Sequence, residues 1–258
     1  MPTNYFFIIG AQRSGTTWLY NSLDKHPDIC LAKPVVPEPK HFLNADCVSD
    51  GLEGYNEKYF DATQKRTLFG EKSTSYIESK FAAKAIASVI PTAKIIAILR
   101  EPISRAISNF RFSTDNGLES RDINDAFLNE KQTVARFENP DISVCPFAYL
   151  QRGRYAEYLK EFLNYFPKQQ LKVVLYEDLI TNQGCYESIL QFLNVSRLPA
   201  DLSSVSNQSN SIYQELQPET IEMLVNYYDK SNKELMEIFD LNLTLWNSVN
   251  ALSNQVTK

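Results

Sequence analysis

The sequence predicts an α/β fold, in which helices flank a central parallel β-sheet. Short apolar runs typical of buried strands alternate with longer segments of helical periodicity. Alternation of this kind implies parallel strands whose two faces are covered by the helices. The chain has 258 residues, of which 43% are hydrophobic, so it can bury one full core. We therefore expect a single domain over residues 1–258.

Five short apolar segments are predicted to be the strands of this sheet. The clearest is 93–100, because a run of apolar residues stands together there before Arg100. Segment 67–73 is interpreted as a strand that enters a turn. In chain order, the predicted strands are 5–9, 29–32, 67–73, 93–100 and 171–179.

Helices are predicted between these strands and after the last of them. Either Thr16 or Thr17 can cap the first helix, which follows a glycine-containing loop. Pro102 suits the first turn of a later helix, because its missing N–H has no helical partner at that position. After the first helix, the predicted helices cover 79–91, 102–112, 122–137, 148–166, 185–195 and 218–239.

Two long segments, 33–63 and 113–150, are predicted to be loops over the ligand site, and the first has room for a short helix. Ligands of open parallel sheets bind at the carboxyl ends of the strands. Arg13, Lys72 and Arg100 fall at these ends of the predicted strands. The candidate site is therefore expected at this edge of the sheet.

The overall charge limits the classes of partner. A net charge of -5 and a pI near 5.2 argue against a protein that binds nucleic acid through its whole surface, although a local pocket for a small anion is compatible with them. The sequence has no run of about 18 apolar residues, so no membrane helix is predicted. The apolar run at Tyr5 lacks the basic leader of a signal peptide. We therefore expect a cytoplasmic protein without membrane or nucleic-acid partners.

Cysteines and histidines are few. The four cysteines show no C-x-x-C spacing and are expected to be reduced thiols. The sequence contains two histidines, His26 and His41, which excludes a His-rich metal site. His26 lies in a polar turn and is predicted to be solvated. No bound metal is predicted.

Residues 10–17, GAQRSGTT, follow most of the nucleotide phosphate-loop pattern G-x-x-x-x-G-K-[ST], but Thr16 stands in place of the lysine. A glycine loop that enters a helix presents backbone N–H groups and the positive end of the helix dipole to an anion. Arg13 supplies a cation three positions earlier. The alternative is a tight turn between strand and helix that binds nothing.

The fourth predicted strand ends in a cation, where NTPases place an acidic ligand for magnesium. Arg100 would repel magnesium and attract a second anion, assisted by Ser104 or Ser108 on one face of the following helix. An ion pair of Arg100 with Glu101 or Glu177 is the alternative. Together the two sites fit a nucleotide with two separated anionic groups and no required metal. This describes 3′-phosphoadenosine 5′-phosphosulfate better than ATP.

Four segments occur in the order and at the spacing of one known family: IIGAQRSGTTWLY, EKSTSY, ILREPISRAISNF and VLYEDL. From about Tyr5 to Trp246 the chain resembles the sulfotransferases that use this donor, especially the heparan sulfate N- and O-sulfotransferases and their bacterial relatives. The resemblance implies the P-loop-kinase-like sulfotransferase fold. It also implies transfer of a sulfuryl group from 3′-phosphoadenosine 5′-phosphosulfate, which leaves 3′-phosphoadenosine 5′-phosphate.

The resemblance assigns donor-binding roles to matching positions. Arg13 would contact the 5′ phosphosulfate and stabilise the leaving phosphate. Arg100 and Ser108 would bind the 3′ phosphate. The 5′ loop would be completed by Ser14, Gly15, Thr16 and Thr17, with Trp18 just beyond them.

A further motif, VVPEPKHFLN at 35–44, implies the catalytic base. Glu38 falls where heparan-type enzymes place it, although Pro37 replaces the lysine that often precedes it. His41 is the competitor, because aryl and steroid sulfotransferases use a histidine. A surface ion pair between Glu38 and Lys40 is the non-catalytic alternative. Lys72 matches a lysine near the reacting sulfate.

Two weaker candidate regions complete the predicted site. Gly153, Arg154 and Tyr155 resemble a stretch near the donor in relatives, but the same residues also fit the start of an amphipathic helix. The segment before the last helix has no basic residue, and there Asn207 and Ser209 are candidate hydrogen-bonding residues.

The sequence therefore predicts a sulfotransferase that acts on a hydroxyl or an amine by direct in-line transfer. A carbohydrate acceptor is the first expectation, followed by a lipid, a peptide or a secondary metabolite. Two alternatives stay open at this point. One is a small-molecule kinase with a degenerate phosphate loop, and the other is a non-catalytic nucleotide-binding module.

Overall fold

A computed structural model describes residues 4–61, 66–130, 146–202 and 215–246. The chain groups into two compact units, each built from two stretches of sequence. The first unit comprises Met1–Leu99 and Tyr158–Val205. The second unit comprises Arg100–Glu157 and Ser206–Lys258.

The first unit contains the predicted parallel sheet. Its five strands lie in the order β2-β3-β1-β4-β5, and each neighbouring pair is parallel. The predicted α/β class and all five predicted strands are confirmed. The strands are β1 Asn4–Gly10, β2 Ile29–Leu31, β3 Leu68–Lys72, β4 Lys94–Leu99 and β5 Leu171–Leu175.

The α-helices of the described residues begin and end as follows. They are α1 Thr16–Leu23, α2 Ala45–Ser49, α3 Gly51–Tyr59, α4 Lys80–Val89, α5 Pro102–Asp115, α6 Ile123–Leu128, α7 Tyr155–Leu163, α8 Tyr176–Leu179, α9 Gln183–Leu193 and α10 Pro218–Phe239.

A continuous apolar core joins the sheet of the first unit to its helices. Phe6 and Ile96, on the adjacent inner strands β1 and β4, pack in one cluster with Leu19 of α1 and with Ile189 of α9. All four side chains are inaccessible to solvent. Because this core fixes strand β1, it also fixes the start of the loop that leaves the carboxyl end of β1.

The second unit has a core of its own. Its helices α5, α6 and α10 contribute Phe110, Phe127 and Leu224 to a buried cluster, which also contains Tyr228. The hydroxyl of Tyr228 donates a hydrogen bond to the backbone oxygen of Leu150 at 3.0 Å. The backbone segment before α7 is thereby tied to α10.

Segment 33–63 is more helical than predicted. The three prolines at its start led to the prediction of a loop, but a 3-10 turn at His41–Leu43 is followed by α2 and α3. Tyr55 and Tyr59 lie one turn apart on α3 and both are buried. The spacing of Tyr55 and Tyr59 by one helical turn indicates a helix, but the nearby prolines outweighed it in the prediction.

Three other predicted boundaries were wrong in part. The strand predicted at 171–179 ends at Leu175, because the chain turns into the short helix α8 without a glycine or proline to mark the change. The helix predicted at 148–166 starts as α7 only after a 3-10 turn at Gln151–Gly153. Of the helix predicted at 122–137, α6 is seen, and positions 131–137 lie outside the described residues.

The prediction that His26 is solvated was wrong. Its side chain is fully buried, its Nδ1 accepts from the backbone N–H of Asp28 at 3.1 Å, and its Nε2 lies 3.0 Å from the backbone oxygen of Ser196. The second partner is 170 residues away in the sequence. Local polarity around His26 therefore carries no sign of the burial.

Candidate active site

The glycine loop joins the end of β1 to the start of α1. Gly15 is the N-cap of α1 and has a left-handed φ of 77°. A Cβ atom at Gly15 would lie 2.8 Å from Cδ2 of Tyr176, which is closer than carbon atoms normally approach. The predicted cap by Thr16 or Thr17 was wrong, because Thr16 is already the first helical residue and Gly15 has no side chain to cap the helix.

The same loop has the features of an anion site. Arg13 adopts a left-handed φ of 67°, which is uncommon for a residue with a side chain. The hydroxyl oxygen of Ser14 is buried and has no hydrogen-bond partner among the described residues. Buried polar atoms are nearly always paired in proteins. An orphaned hydroxyl beside an uncapped helix N-terminus therefore fits a loop that binds a phosphate-like group.

Trp18 anchors α1 within the first unit. Its indole Nε1 donates to the backbone oxygen of Asp201 at 3.1 Å, and its ring packs edge-on against Tyr186 with centroids 5.8 Å apart. Of the two threonines before it, Thr16 is buried and Thr17 is exposed. The first turn of α1 therefore has a buried side and an exposed side.

Glu38 and Lys72 form a close ion pair. Nζ of Lys72 lies 2.6 Å from Oε1 of Glu38. Thr74 adds its backbone N–H, 2.9 Å from Oε2, and its hydroxyl, 2.9 Å from the same oxygen. Because β3 ends at Lys72, the carboxylate of Glu38 is held at the carboxyl end of this strand.

The two partners differ in access to solvent. The side chain of Lys72 is 4% exposed and that of Glu38 is 16% exposed. A third residue, Lys40, directs its backbone N–H to the hydroxyl of Ser73 at 2.9 Å. Glu38 therefore forms its ion pair with the buried Lys72 at the end of β3. The sequence had offered a surface ion pair with Lys40 as the alternative.

His41 lies in an aromatic cluster. Its ring is 1% exposed and packs against Phe42, Tyr55 and Tyr59, with centroids 4.9, 4.9 and 5.5 Å away. Burial, with a smaller effect of the Lys58 charge, lowers the pKa of His41 to about 4. The imidazole is therefore neutral at pH 7 and surrounded by rings.

Glu71 is a buried carboxyl group that the sequence motifs did not single out. It has no exposed surface, and its carboxylate accepts hydrogen bonds from Tyr55 at 2.7 Å and from Ser73 at 2.6 Å. Burial raises the pKa of Glu71 to about 7, against the opposing effect of these hydrogen bonds. A charged residue inside a strand whose five residues are all buried is the signal that could have identified it.

The second unit holds Arg100 and the residues around it. Arg100 directly follows β4, and its backbone oxygen accepts from the hydroxyl of Tyr155 at 2.8 Å. The carboxylate of Glu101 caps α5 by accepting from the N–H groups of Ile103 at 2.9 Å and Ser104 at 2.6 Å. Two predicted site residues, Arg100 and Tyr155, are thus brought together.

The other predicted residues of this unit have structural contacts. Ser108 lies within α5 and is half-buried. Gly153 is packed so closely that an added Cβ would lie 2.6 Å from Cε1 of Tyr228. Arg154 forms an ion pair with Glu157, and its guanidinium lies 5.5 Å from the ring centroid of Tyr227.

Asn207 and Ser209 lie outside the described residues. Within the described ranges, no group of three or more His, Cys, Asp or Glu side chains could hold a metal ion. The same part of the chain includes no helix with the length and apolar character needed to cross a membrane.

A family profile described as "Sulfotransferase domain" matches residues 3–237. The chain belongs to the sulfotransferase family. This confirms the predicted family. The predicted donor, 3′-phosphoadenosine 5′-phosphosulfate, is the one that sulfotransferases of this family use. Membership of the sulfotransferase family argues against the alternative prediction of a small-molecule kinase.

Similar proteins include two mouse enzymes of heparan sulfate modification. The chain is 32% identical over 197 residues to "Bifunctional heparan sulfate N-deacetylase/N-sulfotransferase 4", a match that covers 74% of this sulfotransferase and 22% of the relative. It is 28% identical over 210 residues to "Heparan sulfate glucosamine 3-O-sulfotransferase 3B1", covering 78% and 49%. The sulfotransferase thus spans less than half the length of each of these relatives.

A solved structure shares the fold. The sulfotransferase from Alicyclobacillus acidocaldarius superposes with a TM-score of 0.75 at 24% identity, and the match covers 96% of this chain and 99% of that one. The predicted sulfotransferase fold is therefore confirmed.

Proposed function

We propose that this sulfotransferase moves a sulfuryl group from 3′-phosphoadenosine 5′-phosphosulfate to a hydroxyl or amine of a glycan, with Glu38 as the general base. The observation that carries the proposal is the Glu38 carboxylate, held by Lys72 at 2.6 Å and by Thr74 at the carboxyl end of β3. This edge of a parallel sheet is where ligands bind. The competing base, His41, is enclosed by aromatic rings.

The reaction is a direct displacement at sulfur. The acceptor oxygen or nitrogen forms a bond to sulfur while the bond from sulfur to the donor's phosphate oxygen breaks. The acceptor's proton passes to the carboxylate of Glu38, and 3′-phosphoadenosine 5′-phosphate leaves. General base catalysis of this kind contributes on the order of 10²–10⁴ in rate.

Cationic side chains would stabilise the charge that develops on the sulfuryl and phosphate oxygens. Lys72 has three N–H donors, so it can hold Glu38 and still donate to a sulfuryl oxygen. Arg13 and the orphaned hydroxyl of Ser14 would bind the 5′ phosphosulfate together with the first turn of α1. On the basis of the family resemblance, we also propose that Gly153, Arg154 and Tyr155 contact the donor or the acceptor.

The 3′ phosphate is assigned to Arg100 and Ser108, on the basis of the matching family motif. The hydrogen bond from Tyr155 to the backbone oxygen of Arg100 supports this assignment, because it fixes the backbone from which the guanidinium extends. Arginine with a hydroxyl is a common pair for phosphate recognition.

The glycan acceptor is supported by the names of the similar enzymes, which act on heparan sulfate at an amine or at a glucosamine hydroxyl. The net charge of -5 favours an unsulfated or lightly sulfated acceptor over a heavily sulfated polymer. A localisation in the cytoplasm remains a prediction.

The test measures transfer of radioactive sulfate from the donor to a panel of acceptors. The first acceptor is a partly N-deacetylated, unsulfated heparosan oligosaccharide, which offers free amines and hydroxyls. Glu38→Gln should lower kcat on the order of 10²–10⁴-fold. Affinity for 3′-phosphoadenosine 5′-phosphate should stay nearly unchanged, because the lost group acts on the acceptor's proton.

Glu57→Gln is the matched control, since Glu57 is an exposed carboxylate on α3 in the same segment. It should retain the wild-type rate. Full activity of Glu38→Gln would remove Glu38 from the mechanism, and His41→Gln would then be the next variant to assay.

A further inference from the structure

We propose that Glu71 is a positioning residue for Glu38, which it serves by holding the backbone of segment 38–43 against the end of β3 through Ser73 and Tyr76. This inference rests on the proposed function, in which Glu38 is the base. Glu71 itself is fully buried and lies one residue before Lys72.

The first link of this tether runs through Ser73. The hydroxyl of Ser73 donates to Oε1 of Glu71 at 2.6 Å. The same hydroxyl oxygen accepts from the backbone N–H of Lys40 at 2.9 Å. Lys40 lies two residues after Glu38, so Glu71 fixes the backbone next to the base through one intermediate hydroxyl.

The second link runs through Tyr76. Its hydroxyl is hydrogen-bonded to Glu71 and accepts from the backbone N–H of Phe42 at 3.0 Å. A third hydroxyl, that of Tyr55 on α3, donates to Oε2 of Glu71 at 2.7 Å. The carboxyl group is thus the common acceptor of three hydroxyls, two of which hold backbone N–H groups of the Glu38 segment.

The segment needs such a tether because its backbone is not in a relaxed conformation. Lys40 has a left-handed φ of 50° immediately before the 3-10 turn that starts at His41. Conformations of this kind persist only where the surrounding structure fixes them. The two N–H groups held by hydroxyls are those of Lys40 itself and of Phe42 within the turn.

The direction of these hydrogen bonds depends on the charge of Glu71. An ionised carboxylate only accepts, so each hydroxyl must donate to it and keeps its lone pairs for the segment's N–H groups. Burial raises the pKa of Glu71 to about 7. The titratable groups that face it are Glu38, Tyr55, Tyr59 and Tyr76. Burial raises the pKa of all three tyrosines, so they stay protonated.

Amide hydrogen exchange tests the tether without any acceptor. In Glu71→Gln the N–H groups of Lys40 and Phe42 should exchange about fivefold faster or more, the effect of weakening one hydrogen bond. Ser73→Ala should release Lys40, and Tyr76→Phe should release Phe42. Tyr165→Phe is the control, since the Tyr165 side chain is exposed. Unchanged exchange at both amides in Glu71→Gln overturns the proposal.

Kinetics test whether the tether serves Glu38. With the heparosan oligosaccharide, Glu71→Gln should lower kcat about tenfold to a hundredfold, as expected for a misplaced base. Affinity for 3′-phosphoadenosine 5′-phosphate should change less than about twofold, because the donor groups are untouched. We expect the wild-type kcat to rise through about pH 7, as Glu71 ionises, and this rise should be absent in the variant.

The double variant Glu38→Gln/Glu71→Gln separates this inference from the proposed function. If Glu71 acts through Glu38, the double variant should be no slower than Glu38→Gln alone. An additional full loss in the double variant overturns the positioning role while leaving Glu38 as the base. Full activity of Glu38→Gln instead overturns the proposed function, and the exchange data still decide whether the tether exists. If Glu71→Gln fails to fold, Ser73→Ala and Tyr76→Phe each test one link.

Discussion

At the scale of single residues, two carboxyl groups in different surroundings meet at the end of β3. Glu38 is partly exposed and is held by a lysine and by two donors of Thr74. Glu71 is fully buried among hydroxyl groups and has a pKa of about 7. Such separation of environments is how proteins give neighbouring carboxyl groups different roles. In the proposed mechanism, Glu38 takes a proton and Glu71 holds the backbone of the segment that carries Glu38.

Glu71 should make the stability of the fold depend on pH. Its folded pKa of about 7 lies above the ordinary value of 4.5, so the folded state binds this proton more tightly than the unfolded state. Its contribution is therefore fully present below pH 4.5 and is lost as the pH rises through about 7. The shift corresponds to on the order of 3 kcal/mol.

The measurement compares urea unfolding of the wild type and Glu71→Gln at pH 4.5 and at pH 8. Relative to the wild type, the variant should gain on the order of 3 kcal/mol in its free energy of unfolding between these pH values. A constant difference between the two proteins would show that Glu71 ionises normally in the folded state.

Sequence motifs predicted roles for Glu38, Lys72 and the glycine loop, because in each case the motif consists of neighbouring residues. They did not identify Glu71, whose role depends on Tyr55 and on a backbone N–H that lies 33 residues from Ser73. Contacts across such distances in the sequence are decided by the fold. The prediction for His26 was wrong for the same reason, because its partner Ser196 lies 170 residues away in the sequence.

At the scale of elements, the turn from β1 to α1 is the most constrained part of the site. Gly15 combines a left-handed φ of 77° with a neighbour, Tyr176, that leaves no space for a Cβ atom. No side chain caps the start of the helix, so no side-chain acceptor occupies the N–H groups of its first turn. The same feature that costs the helix a cap makes its N-terminus suitable for an anion.

Gly15→Ala should therefore destabilise the protein and weaken nucleotide binding. The left-handed backbone alone costs about 1–2 kcal/mol for a residue with a Cβ atom. Gly117→Ala is the matched control, since its φ is 69° and a Cβ there would meet nothing within 4 Å. Urea unfolding should show a larger loss for Gly15→Ala than for Gly117→Ala. Calorimetry should show weaker binding of 3′-phosphoadenosine 5′-phosphate for Gly15→Ala alone, and equal results for the two variants would contradict this reasoning.

Element types were predictable where apolar periodicity was strong, as in β4 and α10. They were not predictable where the deciding contacts are tertiary. The chain turns from β5 into α8 at Tyr176 without a breaker residue, and α2 and α3 form within a segment that begins with prolines. Tyr176 and Leu179 of α8 are buried, as are Tyr55 and Tyr59 of α3, and this packing overrides local preference.

At the scale of the whole molecule, the sequence and the structure agree on a parallel α/β sheet, and the chain belongs to the sulfotransferase family. The family motifs extend over both units, from the glycine loop of the first unit to Arg100 of the second. The central claim is that side-chain cations bind the donor's anionic groups where NTPases use a magnesium ion. Arg13 and Arg100 are the cations that this claim requires.

The most direct test is calorimetric titration of 3′-phosphoadenosine 5′-phosphate into the protein in the presence of EDTA. We predict binding by the wild type and a loss of affinity of about tenfold or more in both Arg13→Ala and Arg100→Ala, since hydrogen bonds to charged groups are lost. Arg197→Ala is the control, because 84% of the Arg197 side chain is exposed. No binding by the wild type in EDTA, or undiminished affinity in the Arg13 and Arg100 variants, would contradict the claim.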